Sequence, residues 1–335
     1  MAGIYEADQV LKVAEVGDSI FIAQSTKVPF SRLLKRGKKP TNMLNSWPVQ
    51  VYPDRKFTGT LDGSDIASFN HTNREQIEAY AMWMRTEGWM ASRLANLTAT
   101  WGVKGKESSK QASDDGLILG QMIEKQLLSS DDTRVESGAN PYRSRGAFSW
   151  VATAAQGVKP VPANYRPSAG CVNTGTIAAF LPAVLEAMLA AAATQKKEKV
   201  DLTGYVGLSL KTQMSAWAQR HVEDINTAQA LTRYNLDAED KKLMQIVDFF
   251  QFDAGNVKVF PSWYLLHTEA TGVATASSSR SGLFLDMNMW EIRFLDNPAA
   301  WIEPPKSGGP RGYHDAVYIL VCHNPTGQCN AQIAS

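Results

Sequence analysis

The pattern of hydrophobic and polar positions first becomes regular at residues 47–52, where apolar residues alternate with polar ones as in a strand. The turn-rich residues 54–72 predict a mobile loop tip. Residues 77–84 are rich in aromatic residues and methionine and predict a returning strand, with a helix as the alternative because Ala79 and Ala81 favour one. The pattern therefore predicts a long two-stranded hairpin.

A helical period follows the hairpin. Ser108 and Gln111 match a capping box, and apolar residues then recur at helical spacing, which predicts an amphipathic helix over residues 108–132. Its outer face is predicted to carry the charged residues Asp114, Asp115, Glu124 and Lys125. Gly116 and Gly120 weaken a helix, and we expect another backbone to approach them closely.

Helical and strand patterns alternate through the rest of the chain. They predict helices over residues 176–195 and 212–221, and strands over residues 204–210, 246–252, 257–264, 283–295 and 316–321. Residues 253–256 (DAGN) are typical of a hairpin turn. The strands after about residue 240 are predicted to form one β-sheet layer, so the predicted fold class is α+β.

The beginning of the chain has few apolar positions. Residues 4–34 cannot close a core of their own, and we interpret them as an arm that lies on other parts of the protein. Pro29 imposes extended geometry on the residue before it, and a short apolar helical turn closed by Gly37 is expected to follow.

Composition and charge exclude several classes of protein. A chain of 335 residues that is 44% hydrophobic can bury a sizeable core and predicts two or three subdomains. Its net charge of +1 gives no bulk attraction to nucleic acid or anionic lipid. The most apolar run, residues 177–193, is too short for a membrane span and contains Pro182 and Glu186. We expect a soluble cytoplasmic protein with no membrane partner.

Candidate chemistry is sparse. Cys171, Cys322 and Cys329 are odd in number and widely spaced, which argues against a disulfide framework, and the spacing around His323 does not match a zinc site. Two acidic pairs are interpreted as solvated helix ends: Asp114 with Asp115, and Asp131 with Asp132. The chain has neither a common nucleotide-binding glycine motif nor a nucleophile elbow. We predict no catalytic residue, no cofactor-binding residue, no metal ligand and no enzymatic activity.

Several short motifs nevertheless occur in a characteristic order. They are residues 28–37 (VPFSRLLKRG), Trp47, and residues 73–77 (NREQI), 122–128 (MIEKQLL), 145–150 (RGAFSW), 253–259 (DAGNVKV) and 324–327 (NPTG). In this order they resemble the major capsid proteins of tailed double-stranded DNA phages with the Hong Kong 97 fold, and most closely the branch found in SU-ten-like podoviruses.

The resemblance implies an α+β Hong Kong 97 capsid fold made of five segments. These are an N-terminal arm at 1–40, an extended loop and return linker at 41–105, a spine helix and the start of the peripheral domain at 106–149, an axial domain at 150–235, and the peripheral sheet with the C-terminal segment at 236–335.

The same resemblance implies that many copies assemble as hexamers and pentamers into the icosahedral head of a tailed phage. The expected partners are other copies of the chain, packaged double-stranded DNA bound non-specifically on the inner face, and scaffolding, portal and decoration proteins. The expected location is the virion shell.

Two alternatives remain open at this point. An encapsulin-like nanocompartment shell protein would enclose a docked enzyme instead of DNA. A soluble enzyme would need a pocket with two or more convergent titratable residues.

Overall fold

The computed structural model describes residues 27–52, 59, 61–65, 74–98, 106–133, 136, 141–157, 159–223, 248–265, 276–304 and 308–333. In chain order the elements are α1 (Pro29–Leu33), β1 (Lys35–Arg36), β2 (Leu44–Gln50), β3 (Arg74–Tyr80), β4 (Met82–Arg85), β5 (Trp89–Met90), α2 (Arg93–Leu97), α3 (Glu107–Leu127), α4 (Ala147–Trp150), β6 (Val172–Asn173), α5 (Pro182–Lys196), β7 (Val200–Val206), α6 (Leu208–Glu223), β8 (Phe249–Gln251), β9 (Gly255–Pro261), α7 (Ala276–Arg280), β10 (Gly282–Leu285), β11 (Trp290–Glu303), β12 (Arg311–Cys322) and β13 (Cys329–Ala331). Most of the predicted N-terminal arm and loop tip lies outside the described residues.

The contacts divide the chain into two units, which are described separately. In its described part, the first unit contains Lys27 and residues 85–98, 106–119, 299–304 and 308–315. The second unit contains the other described residues. The first unit is built on the pairing of β5 with β12, where Trp89 lies opposite Gly312.

The core of the second unit is built on a β-sheet. Among the described residues this sheet has six strands, in the order β6-β13-β10-β7-β9-β8. Helix α5 covers one face of it through Leu185, Met188 and Leu189, which recur at helical spacing and are buried in one hydrophobic cluster with sheet residues. Gly204 on β7 leaves room for the ring of Phe284 on the next strand, which a Cβ would meet at 2.9 Å.

The hairpin prediction for residues 47–84 is confirmed. β2 and β3 pair antiparallel, with Trp47 opposite Ile77, and the helix alternative for the returning segment is wrong. The returning segment is interrupted at Ala81, whose N–H donates to the carbonyl of Met43 at 2.7 Å. Beyond this residue β4 leaves the hairpin and joins a second sheet.

That second sheet has, in the described part of the chain, the order β1-β11-β12-β4, with β5 also paired to β12. The strands after residue 240 therefore do not form one layer as predicted, because β8, β9, β10 and β13 belong to the six-stranded sheet. The predicted strand over 283–295 divides at the helical turn Met287–Met289. Asp286 causes this break, because its carboxylate accepts the N–H of Asn288 at 3.1 Å.

The long helix α3 is confirmed, but its ends differ from the prediction. It starts at Glu107, so Ser108 is not its capping residue, and the Ser108 N–H donates to the Oδ1 atom of Asn96 at 2.9 Å. It ends at Leu127, five residues early, where the Ser129 hydroxyl donates to the Gln126 carbonyl.

The expected backbone approach to the two glycines of α3 is also wrong. A Cβ on Gly116 would meet only the ring of His314, at 3.5 Å, and one on Gly120 would meet nothing within 4 Å.

Two other boundaries have local causes. Helix α5 begins at Pro182 and not at residue 176, since proline is well suited to a first helical turn, and it ends where Lys197 adopts a φ of +60°. Strand β7 ends at Val206, four residues before the predicted end. The chain turns at Gly207, where a Cβ would lie 2.2 Å from the carbonyl oxygen of Ser279.

Candidate assembly surfaces

A buried carboxylate fixes the end of the predicted arm to helix α3. Pro29 starts α1, and the free N–H groups of its first turn need acceptors. The Phe30 N–H donates to Oε1 of Glu124 at 2.8 Å, and the Ser31 N–H donates to Oε2 at 2.7 Å. One fully buried side chain of α3 therefore holds the first turn of α1 through both of its oxygens.

The Glu124 carboxylate is buried despite the free-energy cost of removing it from water. Burial raises its pKa, and the hydrogen bonds from the backbone of Ser31 and Phe30 oppose that increase only in part. Burial raises the pKa of Tyr205, and the negative charge of Glu124 adds to that increase. The sequence had predicted an exposed outer face for Glu124, and this prediction is wrong.

Aromatic packing also holds residues 28–36, and we call these residues together with Glu124 the arm site. The Phe30 ring is fully buried and meets Tyr205 edge to face at a centroid distance of 5.1 Å and Trp290 at 6.3 Å. Lys35 and Arg36 then extend the five-stranded sheet, since β1 pairs in parallel with β11. Residues 28–36 are thus bound to the second unit by a carboxylate, an aromatic pocket and a sheet edge.

Aromatic contacts also hold the base of the β2–β3 hairpin. Trp47 lies 5.9 Å from Trp150 and 6.0 Å from His323 between ring centroids. Tyr80 stacks on Tyr142 at 5.4 Å. The inner face of the hairpin is therefore packed within the second unit.

The rest of the hairpin leaves apolar side chains in solvent. Those exposed by 39–83% are Met43, Leu44, Val51, Tyr52 and Leu61. We call this set the hairpin apolar surface. Exposed apolar side chains that lie together commonly mark a surface that binds another protein.

The first unit has an exposed apolar set of its own. Beneath it, the carboxylate of Asp115 accepts the Thr86 hydroxyl at 2.6 Å and lies 2.8 Å from Nδ1 of His314, which joins α3 to both neighbouring segments. The apolar side chains of this unit that are exposed by 48–77% include Met90, Leu94, Leu97, Trp301 and Ile302. We call these residues the first-unit apolar surface.

The prediction that the two acidic pairs are solvated helix ends is wrong. Asp115 is buried with His314, and Asp132 is buried against Arg145, whose Nη2 lies 2.7 Å from Oδ2 of Asp132. In each pair only the other aspartate, Asp114 or Asp131, stays partly exposed.

Nothing in the described part of the chain tests the prediction that no residue is catalytic, binds a cofactor or ligates a metal, and it stays a prediction. Among the described residues, no group of three or more His, Cys, Asp or Glu side chains could hold a metal ion. No helix in the described part of the chain combines the length and apolarity that crossing a bilayer requires. Sequence reasoning missed the proximity of Cys171 and Cys329, each of which shifts the pKa of the other.

The fold is similar to phage capsid structures over essentially the whole chain. A capsid chain of cyanophage A-1(L) aligns with a TM-score of 0.70 and 11% identity, covering 99% of this chain and 100% of its own. A chain of Mycobacterium phage Bobi aligns at 0.61 and 10%, covering 100% of both chains. The capsid of cyanophage P-SCSP1u aligns at 0.55 and 10%, covering 100% of this chain and 96% of its own. The fold is therefore the capsid fold of the Hong Kong 97 type.

Sequence comparison then defines the family. A family model described as SU10 major capsid protein matches residues 3–311. The chain belongs to this family of major capsid proteins, which form the shell of the phage head and are structural proteins and not enzymes. No protein with a curated description matches the chain. These findings give no support to the nanocompartment alternative.

Proposed function

We propose that this chain forms hexamers and pentamers of an icosahedral head around double-stranded DNA, and that each hairpin covers part of a neighbouring copy. The observation that carries the proposal is the hairpin apolar surface. Trp47 packs the inner face of the hairpin against Trp150, whereas the side chains of Tyr52 and Leu61 are exposed by more than three quarters. Burial of such side chains contributes roughly 25 cal/mol per Å² of apolar area, which favours association of copies.

The first-unit apolar surface supports a second contact between copies. Leu94 and Leu97 are three residues apart on α2, so they share one face of that helix. Both are exposed by nearly three quarters. An apolar surface on each unit suits a closed shell, in which each copy contacts several neighbours.

The sheets suggest a revised assignment of segments, which stays a proposal. The arm at 1–40 and the extended loop within 41–105 keep their predicted roles, and α3 is the spine helix. The axial domain would comprise the six-stranded sheet with α5 and α6, including β8–β10 and β13. The peripheral domain would comprise the five-stranded sheet. Scaffolding, portal and decoration proteins are proposed as further partners.

The proposed contact with DNA is non-specific. The chain has 34 basic and 33 acidic residues, so no bulk positive charge attracts DNA to the protein as a whole. We therefore propose that enclosure by the shell, and not affinity for phosphate, retains the genome.

A tip substitution tests the role of the hairpin. The double variant Tyr52→Asp with Leu61→Asp places charges on exposed positions, so we expect a folded subunit with an unchanged circular dichroism spectrum. Negative-stain microscopy and sedimentation should show shells for the wild type and none for this variant. The matched control Leu61→Met keeps an apolar side chain at the tip and should form shells.

Two outcomes would contradict the proposal. Shells formed equally well by the double variant would exclude a role for the hairpin apolar surface. A wild-type protein that stays a monomer or small oligomer under all assembly conditions, including with its scaffolding protein, would exclude the proposed head.

A further inference from the structure

Two cysteine thiols lie side by side in the core of the second unit. β6 and β13 pair in parallel, with Val172 opposite Asn330. One position earlier, the same register places Cys171, the last residue of the turn Ala169–Cys171, opposite Cys329. Both cysteines are fully buried and belong to the same hydrophobic cluster as the buried face of α5.

The spacing suits a covalent bond between them. Neighbouring strands are about 4.8 Å apart, within the Cα separation of about 4.4–6.8 Å that disulfides span. The two thiols are close enough for each to shift the pKa of the other, and both are free in this structure. Oxidation would therefore need only small shifts of the side chains.

The two thiols differ in their chemistry. The hydrogen bond with Cys329 is the largest of the effects that lower the pKa of Cys171 to about 7, and the Ser168 hydroxyl, 3.3 Å from the sulfur, adds to it. The hydrogen bond with Cys171 and burial raise the pKa of Cys329 well above its ordinary value. The lowered pKa makes Cys171 the better nucleophile of the pair.

We propose that Cys171 and Cys329 form a modification site, a buried dithiol that hydrogen peroxide converts to an intrachain disulfide. The Cys171 thiolate attacks one peroxide oxygen, the O–O bond breaks, and the departing hydroxide takes a proton and leaves as water. Cys171 becomes a sulfenic acid. The Cys329 sulfur then attacks the Cys171 sulfur, and the S–O bond breaks. The hydroxyl group leaves with the Cys329 proton as a second water.

Peroxide is suited to this site because it is small and uncharged. Both thiols are fully buried, so the oxidant must enter during local opening of the turn Ala169–Cys171 and β6. The disulfide would join the turn to β13, and more than 150 residues of chain separate the two cysteines. A closed loop of this length restricts the unfolded chain strongly and should raise the midpoint of thermal unfolding.

Intact mass under denaturing, non-reducing conditions tests the proposal. Peroxide treatment of the folded wild-type chain should remove two hydrogens, a loss of about 2 Da, and peptide mapping should join the peptides of Cys171 and Cys329. Dithiothreitol should restore both the mass and the unfolding midpoint. The variant Cys322→Ser removes the third buried thiol, is a matched control, and should still lose 2 Da.

Single variants separate the two steps. Cys171→Ser should show no loss of mass. Cys329→Ser should stop at the sulfenic acid, which dimedone traps on Cys171. If either variant fails to fold, peptide mapping of the wild type and of Cys322→Ser still decides the question. An unchanged mass, a disulfide that includes Cys322, or oxygen added at Cys171 without a disulfide would overturn the proposal.

Discussion

Removal of the Glu124 carboxylate should release residues 28–36, which we call the arm segment, from helix α3. In Glu124→Ala, the N–H groups of Phe30 and Ser31 lose acceptors at 2.8 and 2.7 Å. The rest of the binding site, including the Phe30 pocket, stays in place. We therefore expect local opening of residues 28–36 and not global unfolding.

The size of the effect follows from the two donors. A buried donor without a partner costs about 1–3 kcal/mol, and the Ser31 N–H is only partly buried, so we expect about 2–4 kcal/mol for the pair. A loss of 2 kcal/mol corresponds to roughly 30-fold faster hydrogen exchange. Deuterium uptake by a peptide that covers residues 28–36, followed by mass spectrometry, measures this rate directly.

The effect should depend on pH with a defined sign. Burial raises the pKa of Glu124 more than its hydrogen bonds lower it, so the folded chain binds this proton more tightly than the unfolded chain. Its contribution to stability is therefore fully present below the unfolded pKa of about 4.3 and is lost as pH rises through the folded pKa. The advantage of the wild type over Glu124→Ala and Glu124→Gln should shrink from pH 4 to neutral pH.

The control is Glu186→Gln, which makes the same neutralising change at an exposed position of α5 and should leave uptake by residues 28–36 unchanged. Unchanged uptake in Glu124→Ala would show that the carboxylate does not hold the arm segment. An advantage of the wild type that grows with pH would show that the hydrogen bonds outweigh desolvation.

Two further substitutions test packing and backbone freedom. Asp132→Asn removes the charged partner of the buried Arg145 and should lower the free energy of unfolding by about 3–5 kcal/mol in urea titrations. Asp131→Asn, in the partly exposed pair with Arg143, should cost about 0–1 kcal/mol. Equal costs would refute the distinction. Gly120→Ala adds a methyl group where nothing lies within 4 Å and should stabilise α3 by about 1 kcal/mol. A lower unfolding midpoint for Gly120→Ala would contradict this.

Local patterns were enough to predict the hairpin and the long helix. The alternation around Trp47 and the helical spacing before Leu127 each reflect one buried face, and both elements occur. The pattern could not show which sheet a strand joins, because β10 and β11 have similar apolar composition but pair with different partners. Leu283 of β10 pairs with Tyr205 and Asn330, whereas Glu291 of β11 pairs with Lys35. A local period does not record partners that lie so far apart in the sequence.

The same limit applies to the arm site. Glu124 follows Ile123 on α3 and has the ordinary appearance of an outer charged position. Its burial depends on Phe30, which is 94 residues away in sequence. The motif at residues 122–128 pointed to this part of the helix only through its resemblance to capsid proteins. Polar groups that satisfy distant backbone donors are thus the positions where reasoning from amphipathicity fails.

The position of β13 constrains when the six-stranded sheet can form during synthesis. β13 lies between β6 and β10, so the pairs on both of its sides are absent until residues 329–331 have left the ribosome. The partner strand β6 is translated about 160 residues earlier and must wait with its edge unpaired. Incomplete nascent chains consequently have an unfinished second unit and cannot enter a growing shell as native subunits. The six-stranded sheet can therefore be completed, and a subunit can become competent for assembly, only after residues 329–331 have been synthesised.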